Sequence, residues 1–236
     1  MRDHPAAGEK LVIWVGSSKR DLLSFPAAVV RNVGATLSAA QFGDTPSAAK
    51  IWKGLGAGVL EIAEDFDRST YRAVYTVRFR RAIHVLHCFQ RSRRAAFVLQ
   101  STTLRCSRSV CGLRGATTRS GMGKAQSRRR RTAMEVGSGN VFADLGIPDA
   151  EELQTKVQLA VAIKREITAR GWSQVRAAEV LSINQPKVSA LLRYRLDGFS
   201  VERLMNFLTA LGHDVEIVIK PRRAGQHAGR ILVEAA

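Results

Sequence analysis

The chain has 236 residues, room for two small domains, and 37 Lys or Arg against 20 Asp or Glu, a formal net charge of +17. The polar start MRDHPAAGEK, with one short apolar run after it, predicts neither a secretory signal nor a membrane span. Cys88, Cys106 and Cys111 make an odd set that suits a reduced, cytoplasmic protein better than a disulfide scaffold.

In chain order, Leu11-Val12-Ile13-Trp14-Val15 is the first strand candidate. Ser17 or Ser18 is placed to cap a short helix near Lys19 to Ser24. Pro26 starts a second helix, with Val29, Val33, Leu37 and Ala40 on one face and Gly43 at its end. Lys53-Gly54-Leu55-Gly56-Ala57-Gly58 is a flexible loop without the Lys and helix of a phosphate-binding loop. Three more strands are predicted, Val59 to Glu64, Thr70 to Phe79 and Ile83 to Gln90. Alternation in YRAVYTVRF sets Tyr71, Ala73, Tyr75 and Val77 on one side and Arg72, Val74, Thr76 and Arg78 on the other. The same alternation puts His84 and His87 on opposite faces, which argues against a metal site built from His84, His87 and Cys88. The expected fold of this half is α+β, two helices on an antiparallel sheet with Arg and His on one face.

The blocks WVGSSKRDLLSFP, KGLGAGVLEI, TYRAVYTVRF and IHVLHCFQ occur in that order over residues 10 to 91. They resemble the RelE/HigB toxins, in particular the Gp49-like branch. The resemblance implies a domain over residues 1–92 that binds ribosomes and cuts messenger RNA without a metal. The ribose 2′-OH attacks the adjacent phosphate, and cationic side chains stabilise the extra negative charge. By that analogy Lys53, Arg72 and Arg78 are candidate phosphate or transition-state contacts, and His87 is a candidate acid or base. Each has a plainer alternative: the arginines as a solvated sheet edge, His87 as a satisfied histidine beside the sheet, Lys53 as an exposed loop residue. Two departures count against catalysis. Ala63 stands where family members commonly carry Arg, two residues after the Glu of GVLEI, and losing that cation is expected to raise the barrier. The Lys-rich turn and C-terminal helix of the family are absent after the FQ block.

In their place, Arg91 to Met134 has twelve Lys or Arg and no Asp or Glu, so the rest of the chain sums to only +5. With no helical or strand period and many Ser, Thr and Gly, residues 93–134 are expected to form a disordered linker. It is either a solvated spacer or a non-specific nucleic-acid binder with strong salt dependence.

Asp149 to Arg170 reads as an amphipathic helix, with Leu153, Val157, Val161 and Ile163 apolar and Gly171 as its stop. Gly171 to Arg195, GWSQVRAAEVLSINQPKVSALLRYR, has the parts of a helix-turn-helix. Ser173 caps the first helix, and Ala177, Ala178, Val180 and Leu181 give it a compact apolar face. Ser182-Ile183-Asn184 is the break, with Ile183 as a plug between the helices. Asn184 caps the second helix, Pro186 is tolerated in its first turn, and Val188, Leu191 and Leu192 face inward. Gln185, Lys187, Ser189 and Arg193 then point outward. Gln can pair with adenine, Lys can reach guanine or phosphate, and Ser can contact either. Gln174 is placed for a phosphate contact. The alternative is an ordinary helical hairpin with a polar outer face. Ser200 caps a further helix carrying Val201, Leu204, Phe207, Leu208 and Leu211, and Gly212 ends it. Val215 to Lys220 is predicted as a strand whose free edges pair with another copy, giving a dimer. In the tail, residues 223–236, Ile231-Leu232-Val233 could add a strand.

Val136 to Lys220, from VGSGNVFADLGIPDAEEL through NQPKVSALLRYRLDGFSVERLMNFLTALGHDVEIVIK, resembles the HigA-type antitoxins of the XRE repressor family. The resemblance implies a mainly α domain over residues 135–222, ending in a β-strand, that binds its own operator and neutralises a toxin. Ser182 departs from the Gly usual in the turn. Resemblance stops at Gln90 and resumes near Val136. In these operons the toxin gene usually precedes the antitoxin gene, so an indel that bypassed a stop codon would produce this order and an out-of-frame linker. The expected function is therefore a fused toxin and antitoxin acting mainly as a repressor, binding a DNA palindrome as a homodimer without a cofactor. The alternative is an mRNA endonuclease on the ribosome, restrained by antitoxin contacts within or between chains.

Overall fold

The computed structural model describes residues 10–44, 49–52, 58–79, 81–92 and 133–221, together with 231 and 233. Lys53, the segment 93–132 and most of the tail lie outside the described residues. β1 (Leu11–Val15) alternates as expected, sending Val12 and Trp14 into the core. α1 (Ser18–Leu23) begins after Ser17, whose hydroxyl does not cap an amide but donates to Asp21 Oδ2 at 2.6 Å. α2 (Ala27–Gln41) begins after Pro26 and ends ahead of Gly43 at φ +79°.

β2 (Ala49–Ile51) and β3 (Val59–Phe66) are antiparallel neighbours, and β3 turns into β4 (Ser69–Thr76) through Asp67 and Arg68. Both turn residues have positive φ, 43° and 60°, the sign that a two-residue hairpin needs to match strand twist. β5 (Ala82–Ser92) pairs antiparallel with β4. The order across the sheet is β2-β3-β4-β5-β1-β6. The sheet is antiparallel as expected apart from one pair, β1 running parallel to β5 from Leu11↔Ala82 to Trp14↔Val85. Parallel neighbours require a long crossover, and α1, α2 and three strands separate these two in the chain.

β6 (Met134–Val136) closes the other side of β1 in antiparallel register. It leads through a tight turn into α3 (Val141–Asp144). Gly137 donates its amide to the Val12 carbonyl at 2.8 Å, and a Cβ at Gly137 would lie 2.9 Å from that carbonyl oxygen. Asn140 caps α3, its side chain accepting from the amides of Phe142 and Ala143. Gln41, fully buried at the end of α2, ties this turn down by donating to the carbonyls of Lys10 and Gly139 at 2.8 and 3.0 Å.

The helical unit comprises α4 (Ala150–Ala169), α5 (Gln174–Val180), α6 (Gln185–Leu192) and α7 (Val201–Ala210). Gly171 and Gly212 end α4 and α7 at φ +63° and +84°, the left-handed backbone that glycine adopts without penalty. Two apolar cores result. Val30, Val33 and Leu37 of α2 face the sheet with Trp14, Ile62 and Tyr75, whereas Ala35 and Ala39 join Phe142, Val157, Leu191 and Leu204 in the helical core. The short α3 serves both, with Val141 and Leu145 on the sheet side and Phe142 on the helical side.

Val215 to Lys220, expected to pair with another copy, has no ladder partner among the described residues of this single chain, and Ile217, Val218 and Ile219 are exposed. A β-type pattern states what a strand would bury but supplies no neighbour. Ile231 is exposed, and Val233 packs partly against the helical core outside any strand. Among the described residues no helix is long and apolar enough to cross a membrane.

Candidate nucleic-acid interface

The geometry of α5 and α6 arises from local chemistry. Ser173 Oγ accepts from the Arg176 amide at 3.2 Å, and Asn184 Oδ1 accepts from the Lys187 amide at 3.1 Å, so both helices begin on side-chain caps. The break between them turns at Ser182, φ +53°. Ala177, Val188 and Leu191 are fully buried where the helices meet. That burial leaves Gln174, Gln185, Lys187 and Arg193 exposed and Ser189 half-buried. The structure therefore brings the five nominated DNA-contact residues onto this helix pair, with Ser189 the least accessible. Gln185 Nε2 donates to Gln174 Oε1 at 3.4 Å, so the two amides orient one another. An amide has further donor and acceptor capacity, and on the exposed Gln185 that capacity faces solvent. Arg176 is paired with Glu179 at 2.9 Å on the exposed side of α5.

On the sheet, the face turned away from α2 collects Glu61 of β3, Arg72, Val74 and Thr76 of β4, and His84, His87 and Phe89 of β5. The inference that alternation separates His84 from His87 is corrected by a bulge. Tyr75 pairs with Val85 but Val74 pairs with His87, so Leu86 is an extra residue and the side-chain parity of β5 shifts by one. His84 and His87 thus share a face, and Cys88 joins Ile83 and Val85 in the sheet core. Burial, with the nearby Asp21 adding to it, pushes the Cys88 thiol up to about 12, which keeps it protonated and a poor ligand or nucleophile. Among the described residues no group of three or more His, Cys, Asp or Glu could hold a metal ion.

His87 stacks on Phe89 at 5.4 Å between ring centres, Trp52 meets Phe89 edge-on at 6.2 Å, and Phe79 lies 4.6 Å from His84. Burial lowers the His84 pKa. Arg72, nominated as a phosphate contact, is ion-paired with the largely buried Glu61 across the hairpin. Ala63 is the residue directly opposite Arg72, so the arginine common there in the resembling family would have stood beside it. Arg78 packs over Gly58, where an added Cβ would meet its Cγ at 2.5 Å. Arg72 and His87 therefore share one face, but Arg72 has its charge compensated there. Sequence reasoning missed Glu61 as the partner of Arg72, and it missed Tyr194 and Arg195 just beyond α6. No local signal marks either, because the partners are distant in sequence.

Residues 141–220 match a helix-turn-helix domain family, and residues 20–100 match the family of phage-derived, Gp49-like proteins. A solved structure named, provisionally, as an XRE family transcriptional regulator is 57% identical. The match covers 38% of this chain and 100% of that one, with a TM-score of 0.36. No curated protein matches the chain.

Proposed function

This chain belongs to the XRE family through its helix-turn-helix domain and carries a Gp49-like domain ahead of it, and from that premise we propose that it is a sequence-specific DNA-binding repressor. In this reading it is the antitoxin half of a toxin–antitoxin pair joined into one cytoplasmic polypeptide, acting on its own operon as a dimer. The observation that carries the reading is the exposed row of Gln185, Lys187 and Arg193 on a doubly capped helix pair whose other side is buried. Gln paired to adenine and Lys at guanine or phosphate give the chemistry of direct readout in a major groove. The basic excess between Arg91 and Met134 adds non-specific affinity.

The sheet unit is a docked partner rather than an active nuclease. Cleavage of RNA by transesterification needs cations aimed at the phosphate, whereas Arg72 is neutralised by Glu61 and Ala63 supplies no charge. The second reading, a ribonuclease, draws on the stacked His87 and Phe89 beside Arg72, a platform on which a base could lie.

The two are separated by enriching random-sequence duplexes on the full chain and, in parallel, expressing it in bacteria. A repeated sequence motif with unimpaired growth is expected. Failure to enrich any motif removes the repressor reading. Growth arrest that Arg72→Ala abolishes establishes the ribonuclease.

A further inference from the structure

Asp44 lies just past the end of α2, and two groups of the helical unit reach the same oxygen of its carboxylate. Lys164 Nζ is 2.6 Å from Oδ2, and the Tyr194 hydroxyl donates to Oδ2 at 2.5 Å. Lys164 also lies 5.2 Å from the centre of the Tyr194 ring. Tyr194 comes directly after Arg193, the C-cap of α6, and is 1% exposed at φ +60°. A bulky residue in left-handed backbone persists only where its surroundings hold it there. Burial and the bond to Asp44 both raise the phenol's pKa, so it stays a donor. The next residue, Arg195, donates from Nη2 to Glu64 Oε2 at 2.9 Å. Glu64 sits on the helix-facing side of β3 and is 6% exposed, and Asn32 of α2 donates to the same oxygen at 3.4 Å.

We propose that Asp44 and Glu64 are positioning residues for DNA recognition: from the sheet unit they grip the end of α6 through Tyr194 and Arg195, and so set how Gln185, Lys187 and Arg193 are presented. The proposal rests on the DNA-reading function assigned above. α6 has only eight residues, too few to be stable or to hold a direction without tertiary support. Its first turn is fixed by the Asn184 cap and the rest of the helix by Val188 and Leu191, all within the helical unit. The two residues just past its C-cap, Tyr194 and Arg195, are held from the other unit. Interactions that differ between the oriented and released helix couple the docking of the units to DNA affinity, and the coupling is reciprocal.

The test uses the full chain as wild type, Tyr194→Phe, Asp44→Asn and Glu64→Gln, with Arg31→Ala as control. Arg31 pairs with Asp197 across the same boundary, but both side chains are well exposed. Each protein is titrated on the duplex that wild type enriches from a random pool and on unselected random duplex, alongside circular dichroism and thermal melting. Tyr194→Phe and Asp44→Asn are expected to lower the ratio of selected to random affinity about fivefold or more with helix content retained, and Arg31→Ala to leave it unchanged. Lower melting temperatures with an unchanged ratio would make the grip structural only and overturn the proposal. Tyr194→Phe removes a single oxygen, so with Glu64→Gln it decides the matter should Asp44→Asn fail to fold. If wild type enriches no duplex, the DNA-reading function falls and the proposal with it. An enriched motif with an unchanged ratio in the variants overturns the proposal alone.

Discussion

Gln185 is the side chain on which sequence discrimination should depend most, because its amide is held by Gln174 and faces solvent. Gln185→Ala is expected to lose about 1–3 kcal/mol of preference for the selected duplex in competition titrations, with little change on random duplex. Ser182 is a different case, a non-glycine residue at φ +53° in the turn. Ser182→Gly should raise stability by about 0.5–1 kcal/mol in denaturant melts, since glycine enters left-handed backbone without the Cβ clash. His84 carries the pH dependence. Its pKa is lowered by burial in the fold, so as pH falls below the ordinary histidine value the unfolded chain takes up the proton first. Stability should be full above that value and decline as pH falls toward the folded pKa, and His84→Asn should flatten the decline in melts taken across that window. At this scale the caps are legible in the sequence, because a cap bond joins residues two or three apart, as at Ser173 and Asn184. The neutralisation of Arg72 is not, since Glu61 reaches it only through the register of a hairpin.

Among the elements, those with a local period can be read almost to the residue. α2, α4 and the helix-turn-helix announce themselves by an apolar face and a glycine or proline at an end. The pattern of β5 places the strand correctly but hides its bulge at Leu86, because a bulge is a mismatch between two strands and one strand alone does not contain it. Val215 to Lys220 is the converse case, a strand pattern whose expected partner is another copy and which has no ladder partner among the described residues of this one chain. The turn from β6 into α3 gives a prediction of its own. Gly137 sits where a side chain would press on the Val12 carbonyl, a backbone atom, and on the Asp144 carboxylate that accepts from the Ser138 amide. Gly137→Ala should therefore destabilise by about 1–3 kcal/mol in equilibrium unfolding, the usual cost of overpacking.

For the whole molecule, the order of the two units is plain from four sequence blocks and a helix-turn-helix, whereas their junction is not. The sequence suggests a boundary at the end of the basic stretch, but Met134 to Val136 add a strand to the sheet, and α3 contributes to both cores. Contacts of that kind span more than a hundred residues, as between Val15 and Met134, and leave no local trace. The position of β6 also bears on how the molecule responds to being cut. The described contacts between the units include β6 on β1, α2 on α4, α3 between them, and the polar bonds from Asp44 and Glu64. That basic stretch is rich in trypsin sites. Brief trypsin treatment should yield two fragments that elute together under native conditions and separate only in denaturant, a split protein that holds itself together. Separate elution after such a cut would mean that the peptide connection, not the interface, keeps the halves in register.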